Sequence, residues 1–227
     1  MQAELERAQL GGERFPGVLW TELPAGEQAT LYSEVLNEQV FYKPLVNGEK
    51  GCYASHLAVW RWLLGSTNEA VVVLEDDVRL ERGFADVIRA ISELPSTWEM
   101  IKLIGRPAIG RAEKLRAREP LCPGFELVRY QRLPSLTAGY VVNRKGAAKL
   151  LQTRVPFGRP VDVDLRHWWE CQELLVSGVS PAPIALDDTS AQSSIGAKFT
   201  EQGLWQKWRK ARFLLAYSLN NACRREP

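Results

Sequence analysis

Three consecutive acids, Glu75, Asp76 and Asp77, follow directly on the apolar run Ala70-Val-Val-Val-Leu74. In an extended chain Glu75 and Asp77 point to the same side. Two carboxylates so placed suit a divalent cation, because Mg²⁺ and Mn²⁺ take oxygen ligands and complete their shells with water and substrate phosphates. Such an ion acts as a Lewis acid toward a leaving nucleoside diphosphate. The same tripeptide equally suits a solvated loop that caps the next helix. Other metal chemistry has little support. Only two histidines, His56 and His167, are present, which excludes a multi-histidine centre. The four cysteines, Cys52, Cys122, Cys171 and Cys223, form no Cys-x-x-Cys, and none is read as having a histidine at ligand spacing. Free thiols are expected, and chemistry has to rest on carboxylates.

These acids need a scaffold. Residues 70–74 are short, β-branched and continuously apolar, the pattern of a strand buried on both faces of a mainly parallel sheet. Ligands of such sheets gather at the carboxyl ends of the strands, where the acids stand. Upstream, residues 1–10 read as helix, 15–20 as a short strand and 28–36 as helix. The segment 52–64 is an amphipathic helix with Leu57, Trp60 and Leu64 on one face. Downstream, helix is predicted over 80–94, strand over 100–104, loop over 105–124, strand over 136–142, and helices over 145–152 and 162–176. Alternating strands and helices point to an α/β sandwich.

Several blocks carry a resemblance. Gly48-Glu-Lys-Gly-Cys52, Ser55-His56, the strand ending in Glu75-Asp76-Asp77, Leu136-Thr-Ala-Gly-Tyr-Val-Val142 with Lys145-Gly-Ala-Ala-Lys-Leu-Leu151, and Pro160-Val-Asp162 occur in the order of glycosyltransferase family 25. The sequence resembles that family, which includes lipooligosaccharide β-galactosyltransferases, over about residues 48–165. The resemblance implies a GT-A-like α/β fold, with a mixed, mainly parallel sheet flanked by helices. It implies a UDP-hexose donor, with galactose the expected sugar, and Mn²⁺ or Mg²⁺ on the acidic motif. Asp77 is the expected metal contact, and Glu75 and Asp76 bind the metal or the donor's hydroxyls. Asp162 matches the family aspartate after Pro-Val and is the expected general base of an inverting transfer, with Asp164 in reserve. Both also suit capping of a helix start. Ser55 and His56 are expected near the diphosphate or acceptor, and Thr137 and Tyr140 along the pocket. A further metal or donor ligand falls within Asp187-Asp188 or Gln192-Ser-Ser-Ile195. Family members open with an I-x-V-I-N-L strand, whereas this sequence begins in helical composition, so the N-terminal strand is expected to be missing. The alternative function is accordingly a catalytically impaired member that binds or scaffolds glycans.

Composition sets the outer bounds. A chain of 227 residues with 45% hydrophobic residues can bury a core, and a net charge of +2 gives no reason to expect nucleic acid as a partner. The acidic start without an apolar core segment is no secretory signal, so the expected location is cytoplasmic, with a peripheral place on the inner membrane as the extension. Residues 1–200 are read as the transferase domain and 201–227 as a basic amphipathic tail. The tail carries Lys207, Arg209, Lys210, Arg212, Arg224 and Arg225 against Glu201 and Glu226. Leu204, Trp208, Ala211, Leu215 and Leu219 recur at helical spacing, so the tail suits either an anionic membrane surface or a closing helix packed on the core. The expected partners are a nucleotide-sugar donor and an oligosaccharide or glycolipid acceptor.

Overall fold

A computed structural model describes residues 1–105, 114–187 and 203–224. Its helices are α1 (Gln2–Arg7), α2 (Ala25–Leu31), α3 (Glu34–Val40), α4 (Asn47–Gly65), α5 (Phe84–Glu93), α6 (Arg144–Thr153), α7 (Val161–Asp164) and α8 (Leu204–Cys223). Its strands are β1 (Ala70–Leu74), β2 (Val78–Leu80), β3 (Met100–Lys102), β4 (Leu115–Cys122), β5 (Phe125–Tyr130), β6 (Gly139–Asn143), β7 (Val176–Ser180) and β8 (Ile184–Leu186). Six strands form one sheet in the order β1-β6-β3-β7-β5-β4, and β2 and β8 form a separate antiparallel ribbon.

The sheet corrects the expected topology. Among the described strands of this sheet only β3 and β7 pair in parallel; every other neighbouring pair is antiparallel. The run 70–74 is an edge strand, half-buried at every position and paired with β6 alone among the described residues. Its continuous apolarity has a different cause from central burial. Val71 and Val73 face the layer built on α4 and α6, while Ala70, Val72 and Leu74 face the layer built on α5. A sheet covered on both faces demands apolar side chains on both faces whatever the strand direction.

The element boundaries differ in instructive places. The expected loop 105–124 contains β4, which turns through Pro123-Gly124 into β5, Gly124 taking the left-handed φ of 83°. The expected helix 162–176 is one turn, α7, followed by a 3₁₀ turn at Trp168–Glu170 and the strand β7. Residues 15–20 form no strand, and the helix read at 28–36 is two helices broken at Tyr32-Ser33, where the Ser33 hydroxyl caps α3 by accepting from the Leu36 amide at 3.1 Å. Leu80 ends β2, so the helix predicted from that residue begins at Phe84.

Two devices fix α4 over the sheet. At its start, a Glu49 carboxylate oxygen accepts from the Val46 amide at 3.0 Å while the other meets Lys43 Nζ at 2.8 Å. At its end, the Arg144 guanidinium donates to the carbonyls of Leu63, Leu64, Ser66 and Asn68 at 2.8–3.2 Å, satisfying acceptors that a helix terminus leaves open. Arg144 opens α6 directly after β6, so this clamp ties helix and strand together. Between them, Tyr53, Leu57, Trp60 and Leu63 are fully buried.

Candidate active site

The side chains of α4, the end of β1 and the start of β6 converge. His56 Nδ1 lies 2.8 Å from the Tyr140 hydroxyl, which also receives the Trp60 indole N–H at 3.0 Å. An indole nitrogen only donates, so the phenol oxygen accepts from Trp60 and its own proton is available to His56 Nδ1. If the phenol donates to Nδ1, the imidazole N–H is on Nε2, the nitrogen that faces Glu75 Oε1 at 3.9 Å. The same Glu75 oxygen accepts from Thr137 Oγ1 at 2.9 Å, and the Glu75 amide donates to Ala138 O at 2.9 Å. Burial opposes ionisation of Glu75, but His56, the Thr137 hydroxyl and the Lys102 ammonium outweigh it and hold the carboxyl below its ordinary range. Glu75 is therefore a fixed anion at neutral pH.

Asp77 is the opposite case. Its Oδ1 is buried without a hydrogen-bond partner. Burial, then the negative charges of Glu75, Asp76 and Asp187, push its carboxyl above the ordinary range. Asp187 follows β8, and its amide donates to the Asp77 carbonyl at 2.7 Å, so the β2–β8 ribbon delivers a further acid beside the motif. Asp76 is exposed. Glu75, Asp77 and Asp187 offer hard oxygen donors of the kind a divalent ion takes, but their ligand atoms are not among those that converge within 4.8 Å in the described residues. Asp188 and residues 192–195, the other candidates for a further ligand, lie outside the described residues.

A second donor set overlaps the first. Cys52 and His56, one turn apart on α4, bring ligand atoms within 4.8 Å of one another and of Glu75. The expectation that no histidine stands at ligand spacing from a cysteine is thus corrected by helix geometry, which places residues i and i+4 on one face. Burial, then Glu75, Asp162 and Glu49, push the Cys52 thiol up to about 12, and a protonated thiol is a poor ligand for Mg²⁺ or Mn²⁺.

The two aspartates of α7 separate. Asp162 is partly exposed; burial raises its proton affinity, moderated by the Val163 amide and the charges of Lys102 and Arg166. Its charge, like that of Glu75, helps to raise the Cys52 thiol on α4. Asp164 is buried and fully engaged. Its Oδ2 accepts from Tyr53 OH at 2.6 Å, and its Oδ1 meets Arg159 Nη1 at 2.8 Å and Arg154 Nη1 at 3.3 Å. Both guanidiniums continue to Glu170. Buried, with both oxygens held by Tyr53 and two guanidiniums, Asp164 is placed as a structural tie more than as a base open to a substrate hydroxyl. Ser55 is likewise committed: its hydroxyl donates to Gly51 O at 2.9 Å and accepts from the Val18 amide at 2.8 Å, pinning the N-terminal segment to α4. Tyr140 is buried within the His56–Trp60 contacts and positions His56. Gly139 permits close packing, since a Cβ there would stand 2.2 Å from Ile184 Cδ1.

One contributor was missed. Lys102, buried in β3, donates to the carbonyls of Pro134, Ser135 and Leu136 at 2.8, 2.9 and 2.6 Å, the three residues before Thr137. It fixes the approach to the Thr137–Glu75 contact, and its charge favours ionisation of both Glu75 and Asp162. A single lysine inside the apolar run Met100-Ile-Lys-Leu-Ile104 was the available signal.

Known proteins match this sequence over the region that carries the site. The family model described as glycosyltransferase family 25 (LPS biosynthesis protein) matches residues 1–165, which include the acidic motif and Asp162. Procollagen galactosyltransferase 2 of Homo sapiens is 33% identical over 128 residues, 54% of this chain and 19% of that protein. A glycosyltransferase 25 family member of Drosophila pseudoobscura pseudoobscura is 27% identical over 168 residues, 72% of this chain and 26% of its own length. A rat protein named probable inactive glycosyltransferase 25 family member 3 is 34% identical over 126 residues, 54% of this chain and 21% of that protein. The matches therefore span about a fifth to a quarter of these relatives. With the family match covering well over half of its residues, the chain belongs to glycosyltransferase family 25.

Proposed function

We propose that the protein is a GT-A-like glycosyltransferase that moves a hexose, galactose, from a UDP-sugar to a saccharide hydroxyl in lipopolysaccharide or lipooligosaccharide synthesis, with inversion at the anomeric carbon. Residues 1–200 constitute the transferase unit in this reading, and the α8 region is its appendage. The observation that carries the proposal is the buried, unpartnered Oδ1 of Asp77, whose carboxyl is raised by three further carboxylates, within the span of the family match.

Asp77 and Glu75 would hold Mn²⁺ or Mg²⁺, with Asp187 beside them. When bound, the ion neutralises charge on the departing diphosphate. The other steps belong to the chain. Glu75, held by Thr137, offers a second oxygen to the donor, while Lys102 and the Tyr140–His56 contact keep that pocket wall in place. Asp162 takes the acceptor's hydroxyl proton as the new C1–O bond forms and the C1–diphosphate bond breaks, releasing UDP. A raised proton affinity improves a carboxylate as general base, because driving force grows as its pKa approaches the working pH.

Titration calorimetry with UDP, in the presence and absence of Mn²⁺, tests the reading. Metal-dependent binding that disappears in Asp77→Asn supports it, while undiminished Mn²⁺-dependent binding in that variant removes Asp77 from the metal. A wild-type chain that binds glycans but neither UDP nor metal would instead fit the impaired-member alternative, of which the probable inactive rat relative is an example.

A further inference from the structure

The apolar stripe of α8 faces away from the protein. The helix docks through its other side: Phe213 packs edge-on to Phe41 at 5.5 Å, Tyr217 is buried against His167 and Trp169, and Arg209 donates to the carbonyls of Glu38 and Phe41 at 2.6 and 2.7 Å. Lys210 lies over the Tyr42 ring at 5.5 Å. Diametrically across the helix, Leu204, Trp208, Leu215 and Leu219 are 86%, 52%, 61% and 56% exposed. Ala211 and Ala222 complete this outward line, and Trp205 stacks on Trp208 at 5.0 Å. The sequence alone could not say which side of this helix meets the core, and the stripe that looked like a packing face turns out to be the unpacked one.

Charge narrows what can cover it. Lys207 and Arg212 flank the stripe on its two sides and are exposed, and α8 contains no acidic residue from Leu204 to Cys223. An isologous pair of stripes would bring these cations together with no anion to offset them, so a second copy of the chain is disfavoured. An anionic bilayer supplies both missing complements, a boundary region that accepts leucine and tryptophan and phosphates for the flanking cations. At 20 residues α8 is about 30 Å long, and no helix among the described residues is apolar enough to cross a membrane, so the helix would lie along the surface.

We propose that the outward face of α8 seats the protein on an anionic lipid bilayer, with Leu204, Trp208, Leu215 and Leu219 entering the headgroup boundary and Lys207 and Arg212 meeting lipid phosphates. This goes beyond the transferase reading and stands without it, since vesicle binding needs neither donor nor acceptor.

The test is sedimentation of the full chain with phosphatidylcholine vesicles and with vesicles of phosphatidylcholine plus phosphatidylglycerol. The wild type is expected in the pellet with the anionic vesicles and in the supernatant with the neutral ones. Trp208→Ser/Leu215→Ser/Leu219→Ser and Lys207→Glu/Arg212→Glu should each weaken partition by about tenfold or more. All five positions are solvent-facing, so unchanged melting curves are expected and show that a loss is not unfolding. The proposal is overturned if the wild type ignores anionic vesicles or if both variants partition as the wild type does. A concentration-dependent dimer, seen by light scattering and abolished by the serine variant, would also overturn it and make a second copy the occupant.

Discussion

Asp162 and Asp164 stand two residues apart on one helical turn in opposite surroundings. Asp164 is enclosed by Tyr53, Arg154 and Arg159, and the guanidiniums are further tied to Glu170, so each charge there faces an opposite one, although Arg154 Nε itself has no hydrogen-bond partner. Asp162 is partly exposed, its proton affinity raised by burial and moderated by Lys102 and Arg166, while the acids Glu75, Asp76 and Asp187 crowd Asp77 with no hydrogen bond at its Oδ1. A compensated buried network holds elements in place, here α4 to the segment 154–170. An uncompensated cluster costs the folded chain free energy that a ligand can return. Balance of charge, rather than the presence of acids, separates scaffold from site.

Substitution by asparagine breaks the comparison cleanly, because it removes charge and keeps shape. The largest effect is expected at Asp162→Asn, where donor affinity should persist while turnover falls by about 10² to 10⁴, measured as donor consumption with an acceptor glycan. Near-normal turnover would remove the base from α7. Next is Asp164→Asn, which leaves two buried guanidiniums short of an anion and should cost about 3–5 kcal/mol in urea unfolding. A loss below about 1 kcal/mol would show that Glu170 alone satisfies both arginines.

The difference between these two acids was not legible in the sequence. Their spacing and composition are alike, and what separates them is contributed by Tyr53, 111 residues away in sequence, and by two arginines outside the motif. The acidic motif was legible because it joins an apolar run, and α4 because Leu57 and Trp60 keep helical period, although Leu63 rather than Leu64 completes the buried face. Sheet direction was not. Two-sided burial looks the same in parallel and antiparallel strands, and β4 hid in a charged segment because its exposed, Arg- and Glu-bearing positions imitate a loop. The end of α7 was concealed as well, since helical spacing continues past the point where Gln172 and Glu173 take φ of 48° and 53°.

A pH series sharpens the scaffold side. His167, packed among Trp169, Phe213 and Tyr217, is pushed down to about 4 by burial and then by the Arg159 guanidinium. Its folded value lies below the ordinary one near 6.5, so the unfolded chain binds more protons in between. The stability this contributes is complete above about pH 6.5 and is lost as pH falls toward 4, by up to about 3 kcal/mol. His167→Gln should flatten the unfolding free energy across that window. An unchanged slope there would remove His167 as the source, since Glu170, held below its ordinary range despite burial by Arg159, His167 and Arg154, loses its contribution only below about pH 4.5.

The smallest effect on the fold, and the sharpest contrast, is expected at Asp77→Asn. Its carboxyl has no hydrogen bond to lose at Oδ1 and carries a charge disfavoured by burial, Glu75, Asp76 and Asp187. A folded value raised above the unfolded one means that the ionised group weakens the fold, by more as pH rises through that range, so the amide should leave metal-free stability at pH 7 unchanged or raise it by up to about 1 kcal/mol. Mn²⁺ reverses the order: the wild type should gain stability with rising Mn²⁺ concentration, and the variant should gain little, since only a folded chain with a preformed site is favoured by binding. The same substitution thus weakens the fold at Asp164 and spares it at Asp77. A metal-free loss of several kcal/mol at Asp77 would place it with the scaffold, and equal Mn²⁺ stabilisation of both chains would move the ion to the Cys52, His56 and Glu75 group, where Cys52→Ser then becomes the decisive variant.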